Sequence, residues 1–177
     1  EDWVAPAKPL SKEEALGELA YRYFSGRGPA RLDDYLWWSG LPAKDARSGF
    51  ASIKSKLTEW KHQGEVYWLK PDASAPNPGV GTHALPGFDE YVLGYQDRDP
   101  VLPPKHANRI CPGGNGVFFP SLVIDDELVA TWSRTLKKTA CHFELEPFAK
   151  LPRGSTTAIQ QALGRYAAFM GLKPVFD

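Results

Sequence analysis

The chain has 177 residues, of which 21 are basic and 21 acidic, so its formal net charge is zero. This length accommodates one large domain or two small ones, each able to bury a core of its own. The balanced charge excludes attraction to nucleic acid or anionic membrane by a net field, so any such binding must come from a local patch.

The cysteine count and the lengths of the apolar runs predict where in the cell the protein resides. Cys111 and Cys141 are too few for a disulfide framework in a chain of this size, and they predict a reducing, cytoplasmic environment. No run of about 18 apolar residues is present, so we expect no membrane span. The opening EDWVAPAKPL is acidic and broken by prolines, unlike a signal peptide. Because the only methionine is Met170, we expect a fragment of a longer protein.

The first strong pattern predicts a helix near the start of the chain. Ser11 and Glu14 have the spacing of a capping box, in which each side chain accepts a hydrogen bond from the backbone of the other residue. Apolar side chains then recur at helical spacing over residues 15–24, and Gly26 and Gly28 end the run.

The stretch LDDYLWWSGLPAKDARSGF, residues 32–50, is typical of two short helices joined by a tight corner. The first helix fits residues 32–38, the letters SGLP interrupt it, and Pro42 suits the first turn of the next helix. Apolar residues in that next helix fall at helical spacing and predict one buried face: Ala46, Phe50, Ile53 and Leu57. Corners of this kind also occur in proteins that never meet DNA.

The segment LTEWKHQGEVYWL, residues 57–69, holds two β-prone stretches around a polar turn, which predicts a hairpin. Three helices followed by a hairpin is the element order of a winged helix-turn-helix module. We therefore assign residues 1–70 to such a module, with residues 1–10 as a preceding linker. Residues 71–84 are rich in proline, glycine and small polar residues, and they predict a linker between domains.

The remainder, residues 85–177, predicts a small antiparallel β-barrel-like domain with a C-terminal helix. GVFFPSLVIDDELVATWSR predicts two strands about an Asp125–Asp126 turn, and Pro120 favours an edge position or a bulge in the first of them. ACHFELEPF predicts a third strand. Apolar residues between 159 and 170 then line one face of a helix closed by Gly171. The predicted fold class is α+β.

One stretch of the sequence is basic, although the whole chain has a net charge of zero. Residues 42–61 carry five basic and two acidic side chains, a local net charge of +3. In a winged helix this helix commonly lies in the major groove, while the hairpin contacts the flanking backbone. The candidate phosphate contacts are Lys44, Arg47, Lys54, Lys56, Lys61 and His62. Because charged faces are usually only solvated, an ordinary helix surface explains the patch equally well.

The other polar groups predict no catalytic or metal site. Asp89, Glu90 and Arg98 belong to an acidic cluster that could serve acid–base chemistry, but such clusters more often cap turns and pair with a nearby arginine. The four histidines share no ligand spacing. We therefore predict no catalytic residue, no metal and no cofactor in this chain.

Three stretches resemble the bacterial winged-helix DNA-binding proteins of the AlkZ and YcaQ type, a family that includes alkylation-repair DNA glycosylases. They are LDDYLWWSGLPAKDAR, LPGFDEYVLGYQDRDPVL and GNGVFFPSLVIDDELVATWSR, the last continuing into FELEPFAKLP. The resemblance implies several winged-helix modules in tandem followed by a β-barrel-like domain, of which this chain matches the last module and the barrel. The N-terminal winged-helix modules of the parent chain are then expected partners.

The resemblance also implies that the family's catalytic motif lies outside this chain. That motif places Gln and then Gln or Asp on either side of one apolar residue, in the first winged helix. No such pattern occurs here, because Gln160 and Gln161 are adjacent and the other glutamines are isolated. The chain is then expected to hold duplex DNA, non-specifically or at a lesion, as part of a DNA-repair protein. Further candidate contacts beside the second strand are Arg134, Lys137 and Lys138.

Two other functions fit the same residues. A transcriptional regulator would use the same helix to bind one operator in preference to random duplex. A winged helix that has become a protein-interaction module would bind no duplex even at low ionic strength.

Overall fold

The computed structural model describes residues 9–73 and 81–176. The described residues up to 73, together with Gly94–Gln96, form one compact unit, and the others form a second. The α+β class predicted from the sequence is confirmed.

Three helices and a hairpin build the first unit. They are α1 (Lys12–Arg27), α2 (Leu32–Ser39), α3 (Ala43–Ile53), a 3₁₀ turn (Lys54–Lys56), β1 (Thr58–His62) and β2 (Glu65–Leu69). All the helices and strands expected in this part of the chain are present. The classification of this arrangement as a winged helix stays a prediction.

Local chemistry sets the ends of these elements. At the start of α1, Ser11 N donates to Glu14 Oε2 at 2.8 Å and Glu14 N donates to Ser11 Oγ at 3.2 Å, which is the expected capping box. α2 ends at Gly40, whose φ of +61° favours glycine. The hairpin turns through Gln63 and Gly64, both with positive φ, and this two-residue geometry matches the twist of paired strands.

An aromatic core fills the first unit. The rings of Tyr23, Phe24 and Phe50 lie in the middle of it, with Phe24 5.1 Å from Tyr23 and 5.3 Å from Phe50, centroid to centroid. Gly49 lets α3 approach α1 closely, because a Cβ at this position would lie 2.5 Å from the carbonyl oxygen of Leu16. The packing of these two helices therefore depends on the absence of a side chain at Gly49.

The segment Gly94–Gln96 belongs to the first unit through side-chain to backbone hydrogen bonds. Tyr23 Oη donates to the carbonyl oxygen of Gly94 at 2.7 Å. Gln96 N donates to Asp34 Oδ1 at 3.0 Å. Since Asp34 is only 2% exposed, its carboxylate joins this segment to α2 from inside the unit.

The second unit is a five-stranded sheet with a long helix. Its elements are β3 (Thr82–Leu85), α4 (Glu90–Leu93), a 3₁₀ turn (Pro104–His106), α5 (Ala107–Ile110), a further 3₁₀ turn (Pro112–Gly114), β4 (Ser121–Ile124), β5 (Glu127–Leu136), β6 (Ala140–Pro147), α6 (Thr156–Phe169) and β7 (Lys173–Phe176). The strand order is β3-β4-β5-β6-β7, and the sheet is a curled half-barrel.

The sheet buries apolar side chains on both faces. On one face, Leu122 and Trp132 pack with Leu163 of α6, and α6 contacts both edge strands, β3 and β7. On the other face, Val123 and Leu128 pack with residues of the 90–118 segment. A single helix that reaches both edges of five strands requires the sheet to curl around it, which fits the half-barrel.

Two features correct the predicted β-domain. β7 follows α6 and pairs with β6 in parallel, so the sheet is not purely antiparallel and the helix is not the last element. A parallel neighbour needs a crossover connection, and α6 supplies it. In addition, β3 occupies residues 82–84 of the predicted 71–84 linker, because its four residues pair with β4. A strand this short has too few residues to show an alternating pattern.

A further expectation concerned the position of Pro120 in the sheet. Pro120 precedes β4, and β4 lies inside the sheet between β3 and β5, so the edge position was wrong. The alternative, a bulge in this strand, agrees with a shift of the β4–β5 register between Leu122 and Val123. The carbonyl oxygen of Pro120 accepts a hydrogen bond from Trp132 N at 3.0 Å, a role for which proline needs no N–H.

The predicted linker 1–10 lies outside the described residues except for its last two positions.

Candidate nucleic-acid interface

The helix α3 places two cations side by side on its exposed face. Lys44 and Arg47 are exposed and three residues apart, which makes them neighbours on the helix surface. The opposite face of α3 is buried in the aromatic core through Ala46, Phe50 and Ile53. This division of the helix into a buried face and a basic face is the one that the sequence predicts.

The one acid on α3 is already paired. Asp45 Oδ2 lies 2.8 Å from Lys12 Nζ, and this hydrogen bond, with the charge of Asp45, raises the pKa of Lys12. Within the described residues, neither Lys44 nor Arg47 has a carboxylate within 4 Å. Both cations lie in the first half of α3, where the helix dipole adds positive potential. The basic face therefore keeps its full charge for an anion.

Lys54 and Lys56 have protein neighbours instead. Lys54 Nζ lies 4.9 Å from the centroid of the Trp68 ring, a cation–π contact. Lys56 lines a cleft of about 900 Å³ together with three acidic residues of α1, Glu13, Glu14 and Glu18. The structure thus brings Lys44 and Arg47 together and gives Lys54 and Lys56 separate surroundings.

The hairpin carries the predicted Lys61 and His62 at the end of β1. Lys61 Nζ lies 3.4 Å from Glu59 Oε1, and both side chains are largely solvated, so this pair binds weakly. The His62 ring stacks on Trp60 with centroids 5.0 Å apart, and Trp60 is 44% exposed. The exposed Trp60 was missed from the sequence, although β-strand alternation places residues 60 and 62 on one face.

The remaining predicted contacts lie in the second unit, around the connection between β5 and β6. Lys137 and Lys138 are exposed in this turn, which the hydrogen bond from Lys137 N to the carbonyl oxygen of Ala140 closes at 2.8 Å. Arg134 lies further back on β5, with its guanidinium carbon 4.8 Å from the centroid of the Tyr166 ring. These three cations belong to a different unit from the α3 and hairpin residues.

Two members of the 89–99 cluster, Asp89 and Arg98, make hydrogen bonds to the backbone of their own segment. Asp89 Oδ1 accepts a hydrogen bond from Tyr91 N at 2.8 Å in the first turn of α4. Arg98 Nε donates to the carbonyl oxygen of Val92 at 2.7 Å, which closes the loop after α4. These contacts are those of a turn, the use that the sequence favours for such residues over acid–base chemistry.

The described residues also bear on metal binding and on membrane crossing. No three His, Cys, Asp or Glu side chains in residues 9–73 and 81–176 are grouped so that they could hold a metal ion. Over the same residues, no helix is long and apolar enough to cross a membrane.

Comparisons with known proteins agree on the family of this chain. The family model described as "DNA glycosylase AlkZ-like" matches residues 1–169. The chain is 25% identical over 179 aligned positions to an interstrand DNA cross-link repair glycosylase of Streptomyces sahachiroi, covering 97% of this chain and 46% of that protein. The solved structure of Streptomyces sahachiroi DNA glycosylase AlkZ superposes with a TM-score of 0.76 at 23% identity, over 97% of this chain and 48% of that one. The chain therefore spans about half the length of these relatives, and it belongs to the AlkZ-like DNA glycosylase family.

Proposed function

We propose that this chain is the part of a DNA-repair glycosylase that holds duplex DNA. In this proposal the first unit is a winged helix-turn-helix module, with α3 in the major groove and the β1–β2 hairpin as the wing. The order of elements supports it. So does the reciprocal hydrogen bonding between Ala30, before α2, and Trp68 of β2, at 3.1 and 2.8 Å, which joins the hairpin to the helices.

The observation that carries the proposal is the basic face of α3. Lys44 and Arg47 stand exposed with no described carboxylate beside them, while Asp45 of the same helix is neutralised by Lys12. Phosphate contacts of this kind fix a protein on the duplex without reading its sequence. The net charge of the chain is zero, so this local arrangement, together with the wing, must supply the attraction.

The proposal leaves the glycosidic chemistry to another part of the parent protein. Cleavage of an N-glycosidic bond needs a group that activates or positions water and stabilises the cationic sugar. The Gln-apolar-Gln or Gln-apolar-Asp pattern of the family is absent from this sequence. Asp89 and Asp97 of the 89–99 segment accept hydrogen bonds from backbone N–H groups of their own turns. N-terminal winged-helix modules of the parent chain are the proposed source of catalysis, and they are proposed partners of this part.

A paired charge reversal tests the proposal. We expect the double variant Lys44→Glu, Arg47→Glu to bind a labelled duplex at least about tenfold more weakly at low salt, because two phosphate contacts become repulsive. The matched control is Lys150→Glu, Arg153→Glu, which makes the same charge change at two exposed positions outside the proposed interface. Fluorescence anisotropy with all three proteins gives the comparison, and circular dichroism checks that each variant is folded.

The same titration separates the alternatives. Equal affinity of the α3 double variant and the wild type would remove α3 from the interface. A preference of a hundredfold or more for one operator over random duplex would favour a transcriptional regulator. Absence of duplex binding by the wild type at the lowest salt would favour a protein-interaction module.

A further inference from the structure

Arg109 and His106 rest on one aromatic ring in the second unit. The guanidinium carbon of Arg109 lies 5.2 Å from the ring centroid of Phe148, a cation–π contact. The imidazole of His106 stacks on the same ring, with centroids 5.2 Å apart and ring planes at 26°. Because Phe148 packs in turn against buried apolar residues of this unit, it gives both side chains a fixed support.

The orientation of Arg109 is set by a second contact. Its Nη2 donates a hydrogen bond to the carbonyl oxygen of Pro147 at 3.3 Å. A guanidinium has five N–H donors, and within the described part of the chain no other oxygen accepts one of them and no carboxylate lies within 4 Å. The side chain is exposed, so its remaining donors face water. An arginine held in place with unused donors is suited to a ligand with paired acceptor oxygens, such as a phosphate group.

Lys105 adds an amino group beside these two side chains. The 3₁₀ turn before α5 continues directly into that helix, so Lys105 and Arg109 are about one helical turn apart. Leu102 and Ile110, which are 3% and 1% exposed, fix the two ends of this short stretch in the core. Lys105 is exposed, and no carboxylate of the described residues lies within 4 Å of it or of His106.

The two stretches of chain that meet at Phe148 contain no acidic residue. Asp and Glu are absent from residues 100–124 and from residues 147–176. Since the whole chain has as many acidic as basic residues, this excess of positive charge is local. Such a surface is complementary to a polyanion with closely spaced phosphates.

We propose that Lys105, His106 and Arg109, supported by Phe148, form a second contact surface for DNA and bind its phosphate backbone. Phosphate contacts carry no sequence information, so this surface binds paired DNA of any sequence. The inference rests on the proposed DNA-holding function and adds to it a contact in the second unit, whereas α3 and the wing lie in the first.

Lysine acetylation, read by mass spectrometry, locates the contact in the wild-type protein. With duplex DNA at about ten times its Kd, acetylation of Lys105 should slow about fivefold or more, because only a small fraction of the protein stays free. Lys44 of α3 reports on the proposed function in the same sample. Lys173, an exposed position outside both surfaces, is the reference whose acetylation rate should not change.

Substitutions test both the charge and its support. Lys105→Gln, Arg109→Gln should weaken binding to a paired duplex about tenfold near 0.1 M salt, since a lost phosphate contact costs about this much there. The matched control Lys70→Gln, Lys173→Gln removes the same charge at two exposed positions and should bind like the wild type. Phe148→Leu keeps every charge but removes the ring, so it should weaken binding about threefold through lost preorganisation. Fluorescence anisotropy gives the affinities, and circular dichroism checks that each variant is folded.

The outcomes separate this inference from the proposed function. Protection of Lys44 without protection of Lys105, or equal affinity of Lys105→Gln, Arg109→Gln and its control, would overturn the inference and leave the proposed function intact. Protection of Lys105 alone would support the second surface and remove α3 from the interface. If no lysine is protected and no duplex binds at the lowest salt, both the inference and the proposed function fail.

Discussion

Replacing Asp34 by asparagine should destabilise the first unit strongly. The buried carboxylate accepts hydrogen bonds from Arg31 N at 2.9 Å and Gln96 N at 3.0 Å, and these tie α2 to the Gly94–Gln96 segment. A hydrogen bond to a charged group contributes about 1.5–3 kcal/mol. Asparagine keeps one acceptor oxygen and turns an N–H group toward the other donor, so we expect a loss of about 2–4 kcal/mol in the free energy of unfolding.

Urea denaturation followed by tryptophan fluorescence measures this loss, because five of the six tryptophans lie within the first 70 residues. Asp33→Asn is the matched control. It makes the same chemical change one residue away, at an exposed position in the first turn of α2, and should cost less than about 1 kcal/mol through the helix dipole. Equal stabilities of the two variants would refute the assigned role of Asp34.

Three further changes follow from the packing. Tyr35→Phe should raise the free energy of unfolding by about 1 kcal/mol, because the buried Tyr35 hydroxyl has no hydrogen-bond partner in the described residues; a loss in urea denaturation would contradict this. Gly49→Ala should lower the melting temperature, since its Cβ would meet the backbone of α1, whereas Gly26→Ala, with nothing within 4 Å, should leave it unchanged or raise it. Burial raises the pKa of the Cys141 thiol, so less of it is thiolate at any pH from 7 to 9. Cys141 should therefore react with a thiol reagent much more slowly than the partly exposed Cys111, and equal rates would contradict this.

Features of the fold that depend on adjacent residues were predictable from the sequence. The capping box at Ser11, the hairpin turn at Gln63 and Gly64, and the Asp125–Asp126 turn all arise from local hydrogen bonding or backbone preference. Both aspartates adopt positive φ, which their short polar side chains tolerate. The buried face of α3 was likewise predictable, because helical spacing alone defines it.

Features that depend on distant residues were not predictable in the same way. β7 has only four residues, and its strand conformation depends on pairing with β6 across α6. Residues 94–96 join the first unit through Tyr23 and Asp34, which lie more than 60 positions earlier. The contact of Arg134 with the Tyr166 ring joins β5 to α6, so no single segment of sequence contains it.

The most direct test of the central claim, that this chain holds duplex DNA, is the salt dependence of its affinity. Wild-type protein is titrated against a labelled duplex, intact or with an abasic site, over a series of salt concentrations. Each neutralised phosphate contributes about −0.9 to the slope of log affinity against log salt, so contacts from α3 and the wing predict a slope of about −3 to −4. A slope of that size, little changed by duplex sequence, is the predicted result. No binding at the lowest salt would contradict the account, because the exposed cations of α3 would then be ordinary solvated residues.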